Sequence, residues 1–246
     1  MSRRPAEPAP RRLRRAEAVL ARRTQRIRLL VERPRHDFNA QAVLRTAEAF
    51  GVQHVWWIDR DGDPAEAFAN SVTKGAWRWL TVQRFPHAAA AVAALAAEAA
   101  GGELWATDLG EDAETLDAVL LSGNPFPARV TVAVGREEGA SETILAAAHR
   151  RLRMPMAGFS DSLNLNVAAA LVLQRIFDAC PQARGDLDAA ERETIRARWY
   201  RQLAGNEENL AAYLPWIEAP PEPAPQLRPP LPHRGHRYRD DADPEG

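Results

Sequence analysis

Short apolar segments alternate with helix-forming segments from residue 27 to residue 178, and this alternation constrains the fold more than any other feature. Parallel sheets with helices on both faces have this pattern, because their strands are buried on both sides and are apolar throughout. The sequence therefore predicts an α/β domain with a mostly parallel sheet and helices on both faces. The predicted strands are 27–32, 54–59, 79–85, 103–109 and 129–135, and the predicted helices are 38–50, 87–100 and 141–149.

The segments that flank this domain differ from it in composition. Residues 1–28 hold ten arginines against two glutamates, whereas residues 181–246 hold twelve acidic residues against nine arginines. A basic arm suggests a polyanionic partner, although a solvated tail explains the charge equally well. Eight prolines in the last 28 residues oppose packing. We expect a basic helical arm over 1–26, the α/β domain over 27–178, a helical extension over 179–218 and a disordered tail over 219–246.

Several classes of protein and site are not expected from this sequence. No apolar run is long enough to span a membrane and the N-terminus has no apolar signal region, so we expect a cytoplasmic protein. The single cysteine, Cys180, excludes an internal disulfide and favours a packing role. Dinucleotide, Walker A and hydrolase-elbow motifs are missing from the sequence, and no ligand set has metal spacing, so we expect no metal.

Ligands of parallel α/β sheets bind beyond the carboxyl ends of the strands. The loop 134–141, VGREEGAS, ends a strand and opens a helix, which presents free backbone N–H groups. Taken alone, this loop indicates an ordinary strand-to-helix turn with Ser141 as the N-cap. The candidate loops are those after Val31, Ile58, Ala106, Val134 and Arg153.

Two helix starts carry polar residues that need an explanation. Asn164 and Asn166 open an apolar helix, where a buried carboxamide without partners costs a few kcal/mol. Asn39 and Arg45 lie six residues apart in a predicted helix that ends at Gly51, so they lie on different faces. They converge only if Asn39 lies in a non-helical entry loop. Without other information, a cap and an arginine stem lying over the sheet explain this pair better.

Five segments together resemble the SpoU/TrmH family of SPOUT-class RNA ribose 2′-O-methyltransferases in their order and spacing. The resemblance covers roughly residues 27–178, and the flanking helices resemble more weakly the tRNA-binding extensions of its TrmH branch. The segments are NAQAVLRTAEAFGV (39–52), SVTKGAWRWL (71–80), ATDL (106–109), VAVGREEGAS (132–141) and MPMAGFSDSLNLNVAAAL (154–171).

The resemblance implies a deep trefoil knot near the C-terminal end of the domain, a rare exception to the rule against knots. Loops of this knot bind S-adenosylmethionine in family members. Pro155 and Gly158 are then expected to help the chain thread, the first by its fixed φ and the second by tolerating an unusual φ. The residues expected to contact the cofactor are Thr107, Gly135, Met154 and Leu163.

The resemblance also implies the catalytic residues. Arg45 corresponds to the family's catalytic arginine and Asn39 to the asparagine that orients it. Glu137 matches the glutamate of the second motif, Ser162 is expected to reach the substrate phosphate, and Asn164 to satisfy backbone or cofactor groups in a crowded turn. The site usually forms across a homodimer, with the arginine of one subunit facing the cofactor of the other.

Two departures from the family pattern qualify these assignments. The GREEG loop has one residue fewer than usual between its glutamate and the following glycine, so we expect a shortened loop around Glu138 and Gly139. Asn166 stands where serine or alanine is common, which could alter packing beside the cofactor.

The favoured function is methylation of a D-loop guanosine in tRNA. The close alternative is an rRNA 2′-O-methyltransferase, but such enzymes often carry an N-terminal RNA-binding domain, for which 28 residues are too few. An RNA-binding protein without catalysis is a third hypothesis, although it has no need for the complete set of catalytic candidates.

Overall fold

The structure, a computed structural model, describes residues 9–32, 37–59, 68–98, 102–135 and 139–227. The helices are α1 (Arg11–Leu20), α2 (Asp37–Phe50), α3 (Asn70–Thr73), α4 (Ala88–Ala96), α5 (Leu116–Leu120), α6 (Glu142–Ala147), α7 (Leu165–Ala179), α8 (Ala189–Ala204), α9 (Glu207–Tyr213) and α10 (Pro215–Glu218). The strands are β1 (Thr24–Glu32), β2 (Val52–Ile58), β3 (Thr81–Phe85), β4 (Glu103–Thr107), β5 (Glu114–Thr115), β6 (Val130–Val134) and β7 (Arg150–Arg153). Short 3-10 helices cover Ala76–Trp79 and Pro181–Ala183.

The seven strands form one sheet in the order β3-β2-β1-β6-β4-β7-β5. Every strand pairing in the described chain is parallel, so the predicted mostly parallel α/β architecture is confirmed. The strand order reverses direction beside β1, which pairs with β2 on one side and β6 on the other. Ligand sites of such sheets lie at the carboxyl ends of strands near a reversal of this kind.

Two apolar cores cover the two faces of the sheet. Alternate residues of β1, namely Ile27, Leu29 and Val31, pack with side chains of α2, α5 and α7. Leu30 points to the other face and packs with side chains of α4 and α6. Burial on both faces explains why β1 is apolar without alternation.

Sequence reasoning missed β5, α5 and β7. Arg150–Arg153 reads RRLR, and of these four residues only Leu152 is buried. A strand near the edge of a sheet tolerates charged side chains, which hides it from a search for apolar segments. The pairing of β7 with β4 nevertheless decides where the chain goes next, because Met154 follows at its carboxyl end.

The helix of the predicted basic arm over 1–26 ends early, at Leu20, and β1 begins already at Thr24. The reason is Arg23, whose side chain is fully buried. Its guanidinium donates hydrogen bonds to the backbone oxygens of Glu48 and Val52 and to the Glu48 carboxylate, at 3.2, 3.0 and 2.7 Å. A buried arginine needs such partners, so this contact draws the chain into the sheet before residue 26.

Gly51 ends α2 as predicted, with a positive φ of 88°. We expect Gly51→Ala to lower the free energy of unfolding by about 1–3 kcal/mol, because a Cβ at this φ is strained. That Cβ would also lie 2.8 Å from the Arg22 carbonyl oxygen. Urea denaturation measures the loss. Gly102→Ala is the matched control, since its Cβ meets only ordinary contacts, and an equal loss in both variants would contradict the prediction.

The chain divides into two compact units, Leu20–Ile195 and a second unit of Met1–Val19 with Arg196–Gly246. In the second unit, the Arg196 guanidinium donates to both oxygens of the buried Glu17 carboxylate, at 2.8 and 3.0 Å. The Tyr200 hydroxyl donates to the same carboxylate at 2.8 Å. Burial and the Glu17 charge both raise the pKa of Tyr200. This unit is therefore held by a buried polar cluster.

The predicted disordered tail differs from the structure over its first residues. Between 219 and 227 the chain has no helix or strand, but the Ala224 N–H donates to the Arg14 carbonyl at 2.8 Å and Pro221 is buried. An extended proline-rich segment can pack in this way because it needs few backbone hydrogen bonds of its own. The rest of the predicted tail lies outside the described residues.

Within the described ranges, no helix combines the length and the apolar character that crossing a membrane requires.

Candidate functional site

A pocket opens at the carboxyl ends of β4, β6 and β7. The wall is formed by three of the loops that the strand pattern predicted, together with the start of α7. Its lining residues are Thr107, Asp108, Leu109, Gly135, Gly139, Leu152, Met154, Met156, Asp161, Ser162, Leu163, Leu165, Ala168 and Val172.

Thr107 and Gly135 join two neighbouring strand ends beneath the pocket. The Thr107 hydroxyl donates to the Ala133 carbonyl at 3.2 Å and accepts from the Gly135 N–H at 3.4 Å. A Cβ on Gly135 would lie 2.1 Å from the Ala140 nitrogen and 2.3 Å from the Gly139 carbonyl carbon. Only glycine therefore fits, because the backbone of the returning loop passes directly over this residue.

The far end of this loop is held by Glu32. The buried Glu32 carboxylate accepts a hydrogen bond from the Ser141 N–H at 2.8 Å. Ser141 precedes α6 as the sequence predicts, but its hydroxyl makes no capping hydrogen bond. The carboxylate from β1 thus takes over part of the capping role that the sequence assigned to the serine.

The start of α7 forms another wall of the pocket and explains why asparagine precedes an apolar helix. Asn164 is the N-cap of α7, and its Oδ1 atom accepts from the Asn166 N–H at 3.0 Å. Leu165 is buried in the core, whereas Asn164 itself is exposed. The preceding Ser162 and Leu163 line the pocket. The carboxamide therefore ends the loop and starts the helix at the edge of the pocket.

Asn166 faces a different partner. Its Oδ1 atom accepts a hydrogen bond from the Thr46 hydroxyl of α2 at 2.6 Å. Both side chains are partly buried between α2 and α7. The departure at Asn166 therefore does not leave a carboxamide without a partner, since it links these two helices.

The segment that follows β7 passes beside the pocket. Met154 packs against the core and lines the pocket. Gly158 does not have the unusual φ that the resemblance led us to expect, and a Cβ there would meet open space. Its place is an exposed turn that any small residue can occupy, so backbone strain does not explain this glycine.

Asn39 and Arg45 both lie on α2, which begins at Asp37. Asn39 is therefore in the first turn of the helix and not in the non-helical entry loop that convergence with Arg45 requires. Six residues of α-helix leave the two side chains about 120° apart around the axis. Arg45 is exposed, Asn39 is partly buried, and neither belongs to the pocket lining within this chain.

Of the nine predicted site residues, the structure brings five around one pocket. These are Thr107, Gly135, Met154, Ser162 and Leu163. Asn164 lies at its edge, Asn39 and Arg45 lie elsewhere on α2, and Glu137 lies outside the described residues. No group of three metal-binding side chains occurs in the part of the chain that the structure describes.

Cys180 has the packing role that the sequence favoured. Its thiol is fully buried in the core, and burial raises the pKa of this thiol. A thiol of this kind stays protonated and is a poor nucleophile.

Sequence reasoning missed the acidic and apolar groups that complete the pocket. Asp108 and Asp161 bring two carboxylates to a lining that is otherwise mostly apolar, with Leu109 and Met156 among its side chains. Both aspartates lie next to motif residues that were singled out, Thr107 and Ser162, and this adjacency was the available signal. The pocket suits a ligand with an apolar body and a positive charge.

Known proteins resemble this chain in sequence. The sequence model of the SpoU rRNA Methylase family matches residues 26–174. A tRNA (guanosine(18)-2′-O)-methyltransferase from Thermus thermophilus is 32% identical over 199 residues, which span 78% of this chain and 96% of that protein.

Two solved structures share the fold. The A. aeolicus TrmH/SpoU tRNA modifying enzyme has a TM-score of 0.66 at 22% identity, over 76% of this chain and 94% of that one. The SpoU methyltransferase AviRb from Streptomyces viridochromogenes, in complex with AdoMet, has a TM-score of 0.52 at 23% identity, over 65% and 58%.

Proposed function

We propose that this chain, which belongs to the SpoU rRNA Methylase family, transfers a methyl group from S-adenosylmethionine to the ribose 2′-hydroxyl of a guanosine in the D-loop of tRNA. Family membership confirms the predicted family and the predicted activity class, an RNA methyltransferase. It also agrees with the predicted methyl donor.

The observation that carries the proposal is the pocket at the carboxyl ends of β4, β6 and β7. All four residues expected to contact the cofactor line it, namely Thr107, Gly135, Met154 and Leu163. S-adenosylmethionine carries a flat adenine ring, a positive sulfonium and an ammonium group, which suit an apolar wall with two aspartates, so the residues present fit this cofactor. The glycine at 135 leaves room for the chain to turn back over the strand end.

The choice of tRNA is supported by the relatives whose names specify it. The Thermus protein is named for methylation of guanosine 18 of tRNA, and it matches this chain over nearly its full length. The family description names rRNA, which keeps an rRNA substrate as the second candidate.

The reaction is an in-line displacement at a methyl carbon, and no metal is required for it. Bound S-adenosylmethionine supplies the electrophilic methyl group and a good leaving group. The protein must align the ribose hydroxyl with that methyl group, and alignment alone can lower a barrier by about 7–11 kcal/mol. We assign Ser162, which is exposed at the pocket, to contact with the substrate phosphate, and Asn164 to the shape of the turn beside it.

We assign Arg45 to binding of the substrate and not to removal of the proton from the ribose hydroxyl. A guanidinium keeps its proton too tightly to act as an effective general base. It can bind the phosphate next to the target ribose and stabilise the alkoxide that develops as the proton leaves for phosphate or water. We keep Asn39 and Glu137 as site residues in this proposal, but Asn39 does not orient Arg45 within one chain, because about 120° around α2 separates the two side chains.

A homodimer completes the site in this proposal. Arg45 is exposed on α2 and does not line the pocket of its own chain. Val167 and Leu171 lie four residues apart on one side of α7, and they are 45% and 43% exposed. Phe159, before the same helix, is fully exposed. An apolar face of this kind suits a second copy of the chain, which would bring its Arg45 to the pocket.

The remaining parts of the proposal concern organisation. We propose that the chain between β7 and the end of α7 is threaded into the trefoil knot that the family resemblance implies. We also keep the division into a basic arm over 1–26, a methyltransferase domain over 27–178, a helical extension over 179–218 and a proline-rich tail over 219–246. We also propose a cytoplasmic location, which a tRNA substrate supports.

The test is transfer of labelled methyl from S-adenosylmethionine to bulk tRNA and to bulk rRNA, followed by nuclease mapping of the labelled ribose. We expect label on a D-loop guanosine of tRNA. Label in rRNA alone would replace the substrate with the second candidate. Binding of the cofactor without any label in either RNA would support a docking protein instead.

A further inference from the structure

We infer that the hydrogen bond between Thr46 and Asn166 is a positioning device for methyl transfer, which holds the helix of Arg45 in register with the cofactor pocket. This inference rests on the proposed function. It concerns two residues to which neither the motifs nor the pocket assigns a role in the reaction.

The bond links two functional segments directly. The Thr46 hydroxyl, one residue after Arg45, donates to Asn166 Oδ1 at 2.6 Å. The backbone N–H of Asn166 donates to Asn164 Oδ1 at 3.0 Å. Asn164 in turn follows Ser162 and Leu163, which line the pocket. An unbroken polar connection therefore runs from the residue next to Arg45 to the loop beside the pocket.

The other contacts between the two helices are less directional. α2 presents Val43, Leu44 and Ala47 to the core, and α7 presents apolar side chains such as Ala169 and Leu173 to it. Apolar burial scales with area and tolerates small sliding or rotation of a helix, whereas a hydrogen bond weakens steeply when its angle changes. The Thr46–Asn166 bond is therefore the contact best suited to fix the rotation of α2 about its axis.

That rotation matters because the reaction depends on alignment. Turning α2 moves the long Arg45 side chain by more than its backbone, and a misplacement of about 1 Å can cost about 100-fold in rate. An asparagine at 166 reaches further than the serine or alanine that is common there in the family. The longer side chain brings the acceptor oxygen within hydrogen-bond distance of the Thr46 hydroxyl.

The experiment removes each partner separately and both together. Thr46→Val keeps the shape but loses the hydroxyl, and Asn166→Ala loses the acceptor. Thr46→Ser and Asn166→Asp keep the donor and the acceptor, so they are the matched controls. Four quantities are measured for each variant: kcat, KM for tRNA, the Kd of S-adenosylmethionine by calorimetry, and Tm.

We expect Thr46→Val and Asn166→Ala each to lower kcat about five- to tenfold, because a small rotation of α2 misplaces Arg45 by less than the 1 Å that costs about 100-fold. The double variant should be no slower than the slower single variant, because both changes remove the same bond. KM for tRNA and cofactor Kd should stay at their wild-type values, and Tm should fall by no more than the few degrees that one hydrogen bond explains. Thr46→Ser should restore kcat.

Two failures are distinguishable in this design. If the wild-type protein methylates no RNA, the proposed function fails and the inference falls with it. If the wild-type protein is active and Thr46→Val retains its kcat, the inference alone is overturned. A Tm loss well beyond those few degrees, or effects of the two variants that multiply, would show separate structural roles and would also overturn it.

Discussion

Replacement of Arg45 by alanine is expected to lower kcat about 100- to 1000-fold while the Kd of S-adenosylmethionine stays unchanged. The Kd should stay unchanged although kcat falls, because Arg45 is exposed on α2 and does not belong to the lining of the pocket. A guanidinium that stabilises the developing alkoxide acts mainly in the transition state, so its loss appears in kcat. Single-turnover methyl transfer and calorimetry measure the two quantities on the same preparation.

Two control variants distinguish this role from a general effect of positive charge on activity. Arg45→Lys keeps the charge but loses the planar fork, so its kcat should fall between those of alanine and arginine. Arg201→Ala removes an exposed arginine from α8 and should leave kcat unchanged. A wild-type rate for Arg45→Ala would remove the arginine from the mechanism.

Mixed dimers test whether Arg45 acts on the pocket of the partner subunit. A dimer of one Arg45→Ala chain and one Gly135→Ala chain contains a single complete site if the arginine acts across the interface. Random exchange of subunits should then restore about one quarter of the wild-type activity from two inactive proteins. An arginine that acts within its own chain leaves both sites of the mixed dimer incomplete, and no activity returns.

Replacement of Gly135 by alanine is expected to abolish binding of S-adenosylmethionine. The added Cβ would lie 2.1 Å from the Ala140 nitrogen and 2.3 Å from the Gly139 carbonyl carbon. Both are backbone atoms, so no side chain can rotate away and the loop itself must move. Its far end is tied to Glu32 through the Ser141 N–H, which restricts that movement. We also expect a loss of about 1–3 kcal/mol in unfolding free energy, as for other overpacked sites.

Calorimetric titration with S-adenosylmethionine and urea denaturation measure these effects together. Gly158→Ala is the matched control, because it adds the same methyl group in the segment after β7 where a Cβ meets open space. That variant should bind the cofactor and unfold as the wild-type protein does. Wild-type cofactor affinity in Gly135→Ala would mean that the strand end of β6 does not shape the cofactor site.

The parts of the fold that could be predicted were those with a strong local pattern. β1 and β6 are apolar because both of their faces are covered, and α2 ends at a glycine with positive φ. β7 could not be predicted, because only Leu152 of its four residues is buried and its pairing partners lie far away in the chain. The early end of α1 depends on the partners of Arg23, which are 25 and 29 residues away.

The sequence by itself determined the family of this protein and most of the residues expected at its site. Motif order and spacing identified the family and pointed to five residues that line the pocket, because each motif is contiguous in the chain. Only the tertiary structure decided which residues meet. It brought Thr107, Gly135, Met154, Ser162 and Leu163 around one pocket, left Arg45 outside it, and paired Thr46 with Asn166. Contacts across 120 residues depend on how strands and helices pack in three dimensions, and no local pattern contains that information.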